Sequence, residues 1–238
     1  GTTGFPKGVM LTHHNLVANC CQFEPFEIFT ERDTVIAILP FFHIYGMEVI
    51  LNHALFQGAT VVTMPRFDLE QFLELMQNYG ITFAPLVPPI VLALAKHPLV
   101  DNYDLSKLEY IVSGAAPLSA ALQQACAQRL NCLVGQGYGL TETSPVTHLN
   151  PKDPDKIAVG AAGMVIANTD CKVVDIETGQ PLGPNEDGEI CIRGPQVMRG
   201  YLNNPDATTA AIDADGWFHT GDLGHADEAG YFYIVDRL

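Results

Sequence analysis

Short apolar runs alternate with amphipathic stretches along the first 150 residues of the chain. Runs bounded by proline, glycine or a charged residue predict buried strands over residues 34–39, 60–64, 81–86 and 110–113. Apolar residues at helical spacing predict one helix from an N-cap at Asp68 to a stop at Gly80, and a second over residues 118–130. Strands that alternate with helices are typical of a mostly parallel α/β sheet.

From about Val159 onward, short apolar segments are separated by turn sequences such as Glu177-Thr178-Gly179. This pattern predicts antiparallel strands joined by tight turns. The predicted fold class is therefore α/β. A mostly parallel sheet flanked by helices is expected over residues 1–155, followed by a small antiparallel β-barrel-like subdomain over residues 156–238.

The chain is acidic. Its 238 residues include 12 Lys and Arg against 27 Asp and Glu, which gives a formal net charge of −15 at pH 7. A nucleic-acid polymer or an anionic membrane surface requires clustered basic residues, so both are excluded as partners. Hydrophobic residues make up 47% of the chain, which predicts a globular protein with a sizeable core. No apolar run approaches the roughly 20 residues of a membrane-spanning helix.

The six cysteines include no Cys-x-x-Cys pair and show no regular spacing. Neither a zinc site nor a disulfide framework is therefore predicted. Most of them lie in apolar surroundings, which favours buried thiols in a reducing compartment and predicts a cytoplasmic protein.

The first eight residues combine glycines, hydroxyls and Lys7 ahead of a helix that we expect to begin near Thr12. Glycine lets backbone N–H groups turn toward an anion, hydroxyls add donors, and the lysine adds a positive charge, so the segment suits a polyphosphate. Its glycine spacing differs from that of the NTPase P-loop. A plain surface turn is the alternative interpretation.

Two further segments follow predicted strands. Residues 40–46 surround His43 with aromatic side chains, so this histidine either lines a ligand pocket or packs as a core residue. Residues 113–118 pass from a strand into a helix through Gly114, Ala115 and Ala116. Small residues let a flat ligand approach the backbone, and tight packing of the helix on the strand is the alternative.

Residues 136–143 combine two glycines with an aromatic ring, a hydroxyl and a carboxylate. Tyr138 can stack on a base, Thr141 can donate to a phosphate, and Glu142 can hold Mg²⁺ beside that phosphate. A tight turn would explain the glycines but not the Thr-Glu pair.

Two charged residues near the end of the sequence also suit a nucleotide. Asp222 lies at a predicted turn, where a carboxylate can accept from vicinal ribose hydroxyls. Arg237 ends an apolar strand, and its charge there favours contact with a ligand.

The order of these segments closely resembles the core motifs of the adenylate-forming superfamily, which contains acyl-CoA synthetases, beetle luciferases and peptide-synthetase adenylation domains. The motifs extend over essentially the whole chain and read GTTGFPKG (1–8), PFFHIYG (40–46), SGAAP (113–117), QGYGLTE (136–142), GEICIRG (188–194), GWFHTGD (216–222) and VDR (235–237). Residues 40–45, 87–91 and 188–194 are most similar to the 4-coumarate:CoA ligase branch.

The resemblance implies an acid-thiol ligase that uses ATP, Mg²⁺ and CoA. ATP and a small carboxylic acid give an acyl-adenylate and pyrophosphate, and the CoA thiol then displaces AMP to leave a thioester. In this reaction the implied catalytic residues are Lys7, His43, Thr141 and Glu142.

The resemblance also assigns binding roles. The β/γ-phosphate loop is formed by Gly1, Thr2, Thr3, Gly4 and Lys7. Thr141 and Glu142 hold the α-phosphate and Mg²⁺, with Glu142 as the metal ligand. The adenine and acyl pockets are bounded by Gly114, Ala115, Ala116, Gln136, Gly137, Tyr138 and Gly139. Asp222 and Arg237 bind the ribose, Arg66 replaces a lysine that meets CoA, and the acyl group is contacted by His43, Tyr45, Val49, Pro145 and Val146.

The chain departs from the family pattern at both ends, because the residues before the phosphate loop and the small C-terminal domain are absent. We therefore expect an internal fragment of the large N-terminal domain that ends at the hinge and has little ligase activity alone. A binding-only or inactive fragment is one alternative, and a luciferase-like or carrier-protein adenylating enzyme is another. The acid stays open between a 4-coumarate-like aromatic acid, whose phenol would meet the Tyr45 hydroxyl, and a medium- or long-chain fatty acid.

Overall fold

The structure, a computed structural model, describes residues 7–238, so Gly1, Thr2, Thr3 and Gly4 of the predicted phosphate loop lie outside it. The strands within that range are β1 (Val9–Met10), β2 (Thr34–Ala37), β3 (Thr60–Thr63), β4 (Phe83–Leu86), β5 (Tyr110–Ser113), β6 (Leu133–Gly139), β7 (Val146–Leu149), β8 (Gly163–Val165), β9 (Asp170–Val174), β10 (Gly188–Arg193), β11 (Gly200–Tyr201), β12 (Phe218–Ala226) and β13 (Tyr231–Arg237). The α-helices are α1 (His13–Gln22), α2 (His53–Phe56), α3 (Leu69–Asn78), α4 (Pro88–Lys96), α5 (Ala120–Leu130) and α6 (Pro205–Ala211). A π-helix at Tyr45–Asn52 continues into α2, and 3₁₀ turns lie at Glu24–Phe26, Pro98–Asn102 and Thr141–Thr143.

Eleven of these strands form one sheet in the order β3-β2-β4-β5-β6-β7-β8-β13-β12-β10-β9, and β1 pairs with β11 separately. The pairings from β3 to β6 are parallel. The pairings from β6 to β9 are antiparallel. The predicted parallel α/β part followed by antiparallel strands is therefore confirmed.

The barrel-like closure expected for the second part is not present in the described range, because the strand order has two edges, β3 and β9. β7 continues the ladder of β6: His148 pairs with Tyr138 on one side and with Val165 of β8 on the other. The antiparallel strands therefore extend the parallel sheet instead of closing on themselves. The expected boundary at residues 155 and 156 falls between β7 and β8, inside this continuous sheet.

Helix packing on both faces explains why the parallel strands are apolar throughout. Ile36 and Ile111 pack with buried residues of α3, α4 and α5, such as Phe72. The alternate strand residues, such as Val35 and Tyr110, belong to a second core with the π-helix and α2. Successive side chains of a strand point to opposite faces, so both must be apolar here.

The predicted helix ends are mostly confirmed. Asp68 caps α3 by accepting a hydrogen bond from Gln71 N at 3.0 Å, and Gly80 ends the segment with a φ of +58°. The second helix begins at Ala120, two residues later than predicted, because Ser119 supplies the cap by accepting from Leu122 N at 3.3 Å. Asp, Ser and Thr at the N-cap satisfy N–H groups that have no partner in the first turn.

Two further expectations concern the thiols and the helices. All six cysteines are free thiols, and Cys21 is exposed whereas Cys126 and Cys191 are buried. Within residues 7–238, no helix has both the length and the apolar character that crossing a bilayer requires.

Candidate functional site

The predicted site segments meet where the parallel strands of the sheet have their carboxyl ends, and this border of the sheet is called the sheet edge below. β2, β5 and β6 are parallel, and each leads at its carboxyl end into a segment that the sequence singled out: residues 40–46, 113–118 and 136–143. Ligands of open α/β sheets bind outside the carboxyl ends of the strands. The candidate site therefore lies along this edge.

Lys7 and Glu142 are joined by Tyr201, a residue that sequence reasoning missed. The pairing of β1 with β11 brings the start of the described chain to Tyr201, where the Lys7 ammonium lies 4.9 Å from the ring centroid. The Tyr201 hydroxyl donates to Glu142 Oε1 at 2.8 Å. Gly200 before it has a φ of +146°, a conformation that favours glycine. The glycine directly before the tyrosine is the feature of the sequence that could have indicated this residue.

The Tyr201 hydroxyl is a permanent donor. Burial, and then the hydrogen bond to Glu142 and its charge, raise the pKa of Tyr201, and Arg237 lies near enough to oppose this shift. The Tyr201 side chain thus contacts both Lys7 and Glu142, and the charge of Arg237 acts to lower its pKa. The Met198 N–H donates to the carbonyl of Glu142 at 2.7 Å, which fixes the 3₁₀ turn that carries the carboxylate.

A second group consists of Tyr138, Asp222 and Arg237. The Tyr138 hydroxyl donates to Asp222 Oδ2 at 2.5 Å, and Arg237 Nε lies 3.4 Å from Asp222 Oδ1. Burial, and then the Asp222 charge, raise the pKa of Tyr138 well above its usual range, so this hydroxyl also stays protonated. The Arg237 side chain is 51% exposed, which leaves the guanidinium available to a ligand.

The contact between Tyr138 and Asp222 requires a curved sheet. Tyr138 is in β6 and Asp222 is in β12, four strand positions apart in the sheet. In a flat sheet that separation would be about 19 Å, since neighbouring strands lie about 4.8 Å apart. The curl brings together side chains that the sequence separates by 84 residues.

Gln136 holds the segment from Ser113 to Leu118 and does not present its amide to a ligand. Its Nε2 donates to the carbonyl of Leu118 at 3.1 Å, and Leu118 N donates back to Oε1 at 3.1 Å. Gln136 thus positions the neighbouring loop, and its expected place at the adenine and acyl pockets stays a prediction. In that loop Ala115 has a φ of +66°, and such strain in a non-glycine residue is concentrated at functional sites.

Tyr45 and Val49 are buried beneath the site, with exposed fractions of 8% and 4%. The Tyr45 hydroxyl donates to the carbonyl of Val112 at 3.0 Å, which leaves only its lone pairs for the predicted meeting with a substrate phenol. Its ring lies against Gly114, where an added Cβ would be 3.0 Å from Tyr45 Cε1. Tyr45 thus forms an apolar wall behind the loop.

His43 is exposed and its ring orientation is fixed. Its Nδ1 accepts from Tyr45 N at 3.2 Å at the start of the π-helix, so the neutral ring carries its proton on Nε2. The core alternative for this histidine is therefore excluded. Phe42 beside it is 94% exposed.

The remaining predicted residues divide between the site and its surroundings. Thr141 is exposed next to Glu142, whereas Pro145 and Val146 are buried, and Val146 is bonded through its backbone to Asn19. Gly137 and Gly139 leave no room for larger residues: a Cβ at Gly139 would lie 2.0 Å from the carbonyl oxygen of Pro145. Arg66 is exposed after β3, the edge strand four positions from β6, and is not brought to the Glu142 group.

Comparison with known proteins agrees with this geometry. Residues 1–202 match the family described as AMP-binding enzyme. The chain is 48% identical over its whole length to 4-coumarate--CoA ligase 1 of Petroselinum crispum and 49% identical to 4-coumarate--CoA ligase 1 of Solanum tuberosum. It spans 45% of the length of each of these relatives.

Solved structures give the same result. ATP-bound MatB from Rhodopseudomonas palustris matches with a TM-score of 0.92 and 35% identity, over all of this chain and 46% of that one. A long-chain-fatty-acid-CoA ligase (FadD1) from Archaeoglobus fulgidus matches with a TM-score of 0.90 and 33% identity, over 99% of this chain and 50% of that one. Shared motifs, fold and site geometry thus lead to one conclusion: the chain belongs to the AMP-binding enzyme family.

Proposed function

We propose that this chain provides the nucleotide and acyl sites of an ATP-dependent carboxylate–CoA ligase. One observation carries the proposal: the Tyr201 side chain contacts both the Lys7 ammonium and the Glu142 carboxylate. Arg237, which pairs with Asp222, adds a second cation. Two cations, a carboxylate and hydroxyl donors are what a nucleoside triphosphate with its metal requires. The names of the matching relatives support CoA as the acceptor.

Adenylation is the first step. A carboxylate oxygen of the acid attacks the α-phosphorus of ATP, the bond from that phosphorus to the bridging oxygen breaks, and pyrophosphate leaves. Negative charge grows on the phosphates, so preorganised donors lower the barrier. We assign the Lys7 ammonium to the leaving pyrophosphate and the exposed Thr141 hydroxyl to the α-phosphate.

Thioester formation is the second step. The CoA thiol loses its proton, its sulfur attacks the acyl carbonyl, and AMP leaves with the electrons of the broken acyl–oxygen bond. His43 lies exposed at the edge of the acyl wall made by Tyr45, where it can orient the acyl carbonyl through the proton on Nε2.

Glu142 fits a magnesium ion. Tyr201 occupies Oε1 and thereby fixes the carboxylate, whose second oxygen is a hard ligand of the kind Mg²⁺ prefers. When bound with ATP, Mg²⁺ neutralises charge on the phosphates.

A 4-coumarate-like aromatic acid is the substrate that the relatives favour, and the structure is compatible with it. The buried Tyr45 ring offers a flat apolar surface beside Gly114, which suits a planar acyl group. A fatty acid is the second candidate, since the Archaeoglobus fulgidus relative is named as a long-chain-fatty-acid-CoA ligase.

Pyrophosphate release by the whole gene product, measured with cinnamic, benzoic and fatty acids, tests the proposal. We expect release that depends on ATP and on an aromatic acid, and a thioester once CoA is added. Lys7→Ala should lower kcat/KM by about 100-fold, the usual effect of losing one charge-stabilising group. Lys107→Ala, at an exposed position elsewhere, is the matched control. If no carboxylic acid releases pyrophosphate, the ligase assignment is wrong.

A further inference from the structure

Outside the candidate site, three side chains with metal-binding atoms share one face of the β10 and β12 ribbon. Cys191 lies directly across from His219, and Glu189 precedes Cys191 by two residues on the same strand. Residues two apart on a strand share a face, and the register shift places extra residues in β12, between His219 and Leu223. One donor atom from each of the three lies within 4.8 Å of the other two.

The donor atoms converge on one ring nitrogen. His219 Nδ1 is 2.7 Å from Glu189 Oε2 and 3.5 Å from Cys191 Sγ. Glu189 Oε1 accepts from Gly221 N at 3.1 Å, so the carboxylate is held with Oε2 turned toward the histidine. Imidazole, thiolate and carboxylate bound to one ion form a donor set that suits Zn²⁺.

A fourth residue supplies an independent argument. Asp213 Oδ2 lies 3.5 Å from Nε2, the other nitrogen of His219. A metal-binding histidine almost always donates its second N–H to a carboxylate or carbonyl, which fixes the tautomer and raises its basicity. Asp213 is itself held in place, because its Oδ1 accepts from Trp217 N at 2.8 Å and from Asp215 N at 2.9 Å.

We propose that Glu189, Cys191 and His219 form a zinc site, with Asp213 orienting His219 and water as the fourth ligand. Zinc–ligand bonds of 2.0–2.3 Å at tetrahedral angles require the donor atoms to lie roughly 3.3–3.6 Å apart. The separation of Sγ from Nδ1 already meets this requirement, and that of Oε2 from Nδ1 has to widen by about 0.6 Å from its value of 2.7 Å. None of the proposed zinc ligands is among the residues assigned to the ligase chemistry.

Binding exchanges protons for the ion. The Cys191 thiol gives up its proton to solvent, and His219 binds the ion through an Nδ1 without a proton while Nε2 keeps the N–H that faces Asp213. Burial, and then the nearby Glu189 charge, raise the pKa of Cys191 to about 12, but a coordinated Zn²⁺ deprotonates a thiol outright. His219 and Asp213, each with a side chain one-third exposed, leave an entry path.

Titration of the whole gene product with Co²⁺, a spectroscopic substitute for Zn²⁺, tests the site. We expect one equivalent to give thiolate-to-cobalt charge-transfer absorption and to quench part of the tryptophan fluorescence, because Trp217 adjoins Asp213. Excess Zn²⁺ should reverse both signals. Cys191→Ser should remove the charge-transfer absorption, whereas Cys21→Ser, at the exposed cysteine, should leave it unchanged.

Asp213→Asn provides a second test that does not alter a ligand. It keeps Oδ1 as an acceptor for Trp217 N and loses only the carboxylate that faces His219 Nε2, so we expect Co²⁺ to bind at least about tenfold more weakly. Absence of the charge-transfer absorption in the wild-type chain, or its persistence in Cys191→Ser, overturns the proposal. Unchanged affinity in Asp213→Asn also overturns it.

Discussion

At the residue scale, Tyr201 shows how one hydroxyl can organise a site built from distant segments. It lies under the Lys7 ammonium and donates to Glu142, so it orients a cation and a carboxylate at once. Its pKa is raised, so the hydroxyl keeps its proton at physiological pH and stays a donor to Glu142.

Tyr201→Phe should therefore lower kcat/KM for pyrophosphate release by about tenfold or more. A hydrogen bond to a charged group contributes about 1.5 kcal/mol or more, and without it the Glu142 carboxylate loses its fixed orientation. The aromatic ring under Lys7 is kept, so the fold should be unaffected. The measurement is steady-state pyrophosphate release by the whole gene product, with thermal unfolding followed by circular dichroism.

Tyr231→Phe is the matched control, since its hydroxyl donates to the carbonyl of Lys156 at 2.7 Å, away from the site. It removes one hydroxyl of the same type and should leave kcat/KM unchanged. Equal activity of Tyr201→Phe and the wild type would show that Glu142 is oriented without Tyr201.

At the scale of elements, the junction of the π-helix with α2 contains a histidine that acid should destabilise. His53 is 1% exposed and packs against Phe23 and Phe29, with ring centroids 4.1 Å and 4.9 Å away. Its Nδ1 has no hydrogen-bond partner among the described residues. Burial lowers the pKa of His53 to about 4, so the ring stays neutral when folded.

His53→Leu should flatten the dependence of stability on pH. Between pH 6.5 and pH 4 the unfolded chain takes up a proton on His53 that the folded chain does not, so the wild type loses stability as pH falls through this range. The loss at pH 4 is about 3 kcal/mol, and leucine removes it. The measurement is urea unfolding at a series of pH values.

His14→Leu, at an exposed position of α1, serves as the control and should keep the wild-type slope. Parallel stability curves for His53→Leu and the wild type from pH 7 to pH 4 would contradict the prediction, whatever the absolute stabilities.

The sequence predicts elements well where the signal is local. The cap at Asp68 and the apolar face of α3 follow from neighbouring residues, and so do the buried strands β2 to β5. The open sheet does not follow, because the pairing of β8 with β13 depends on hydrogen bonds between residues far apart in the chain. The backbone contacts of Gln136 and Tyr45 do not follow from the sequence either, because no motif indicates which carbonyls accept from these side chains.

At the scale of the whole molecule, the continuous sheet predicts one unfolding transition. The strands of both halves share the ladder from β6 through β7 to β8, so neither half can lose its strands without exposing an edge of the other. Trp217 reports on the antiparallel half, and helices α3, α4 and α5, which pack on the parallel strands, report on the parallel half. Urea midpoints from Trp217 fluorescence and from helical circular dichroism should coincide.

Gly163→Ala should lower both midpoints together. Gly163 lies in β8 with a φ of +121°, and an added Cβ would be 2.2 Å from the backbone of Leu149 in β7. A midpoint from Trp217 that shifts while the helical midpoint stays fixed would show that the two halves unfold independently.

The pairing of β1 with β11 also determines when, during synthesis of the chain, the candidate site can form. Val9 pairs with Tyr201, and Asp222 pairs with Arg237 close to the last residue of the chain. A ribosome releases a chain from its N-terminus, so the whole segment between Lys7 and Tyr201 has to be synthesised before these two residues can meet. The parallel strands can pair earlier, because their partners are closer in sequence. A nascent chain can therefore form its parallel core before Lys7 meets Tyr201, and this part of the proposed nucleotide site assembles only after synthesis has passed residue 201.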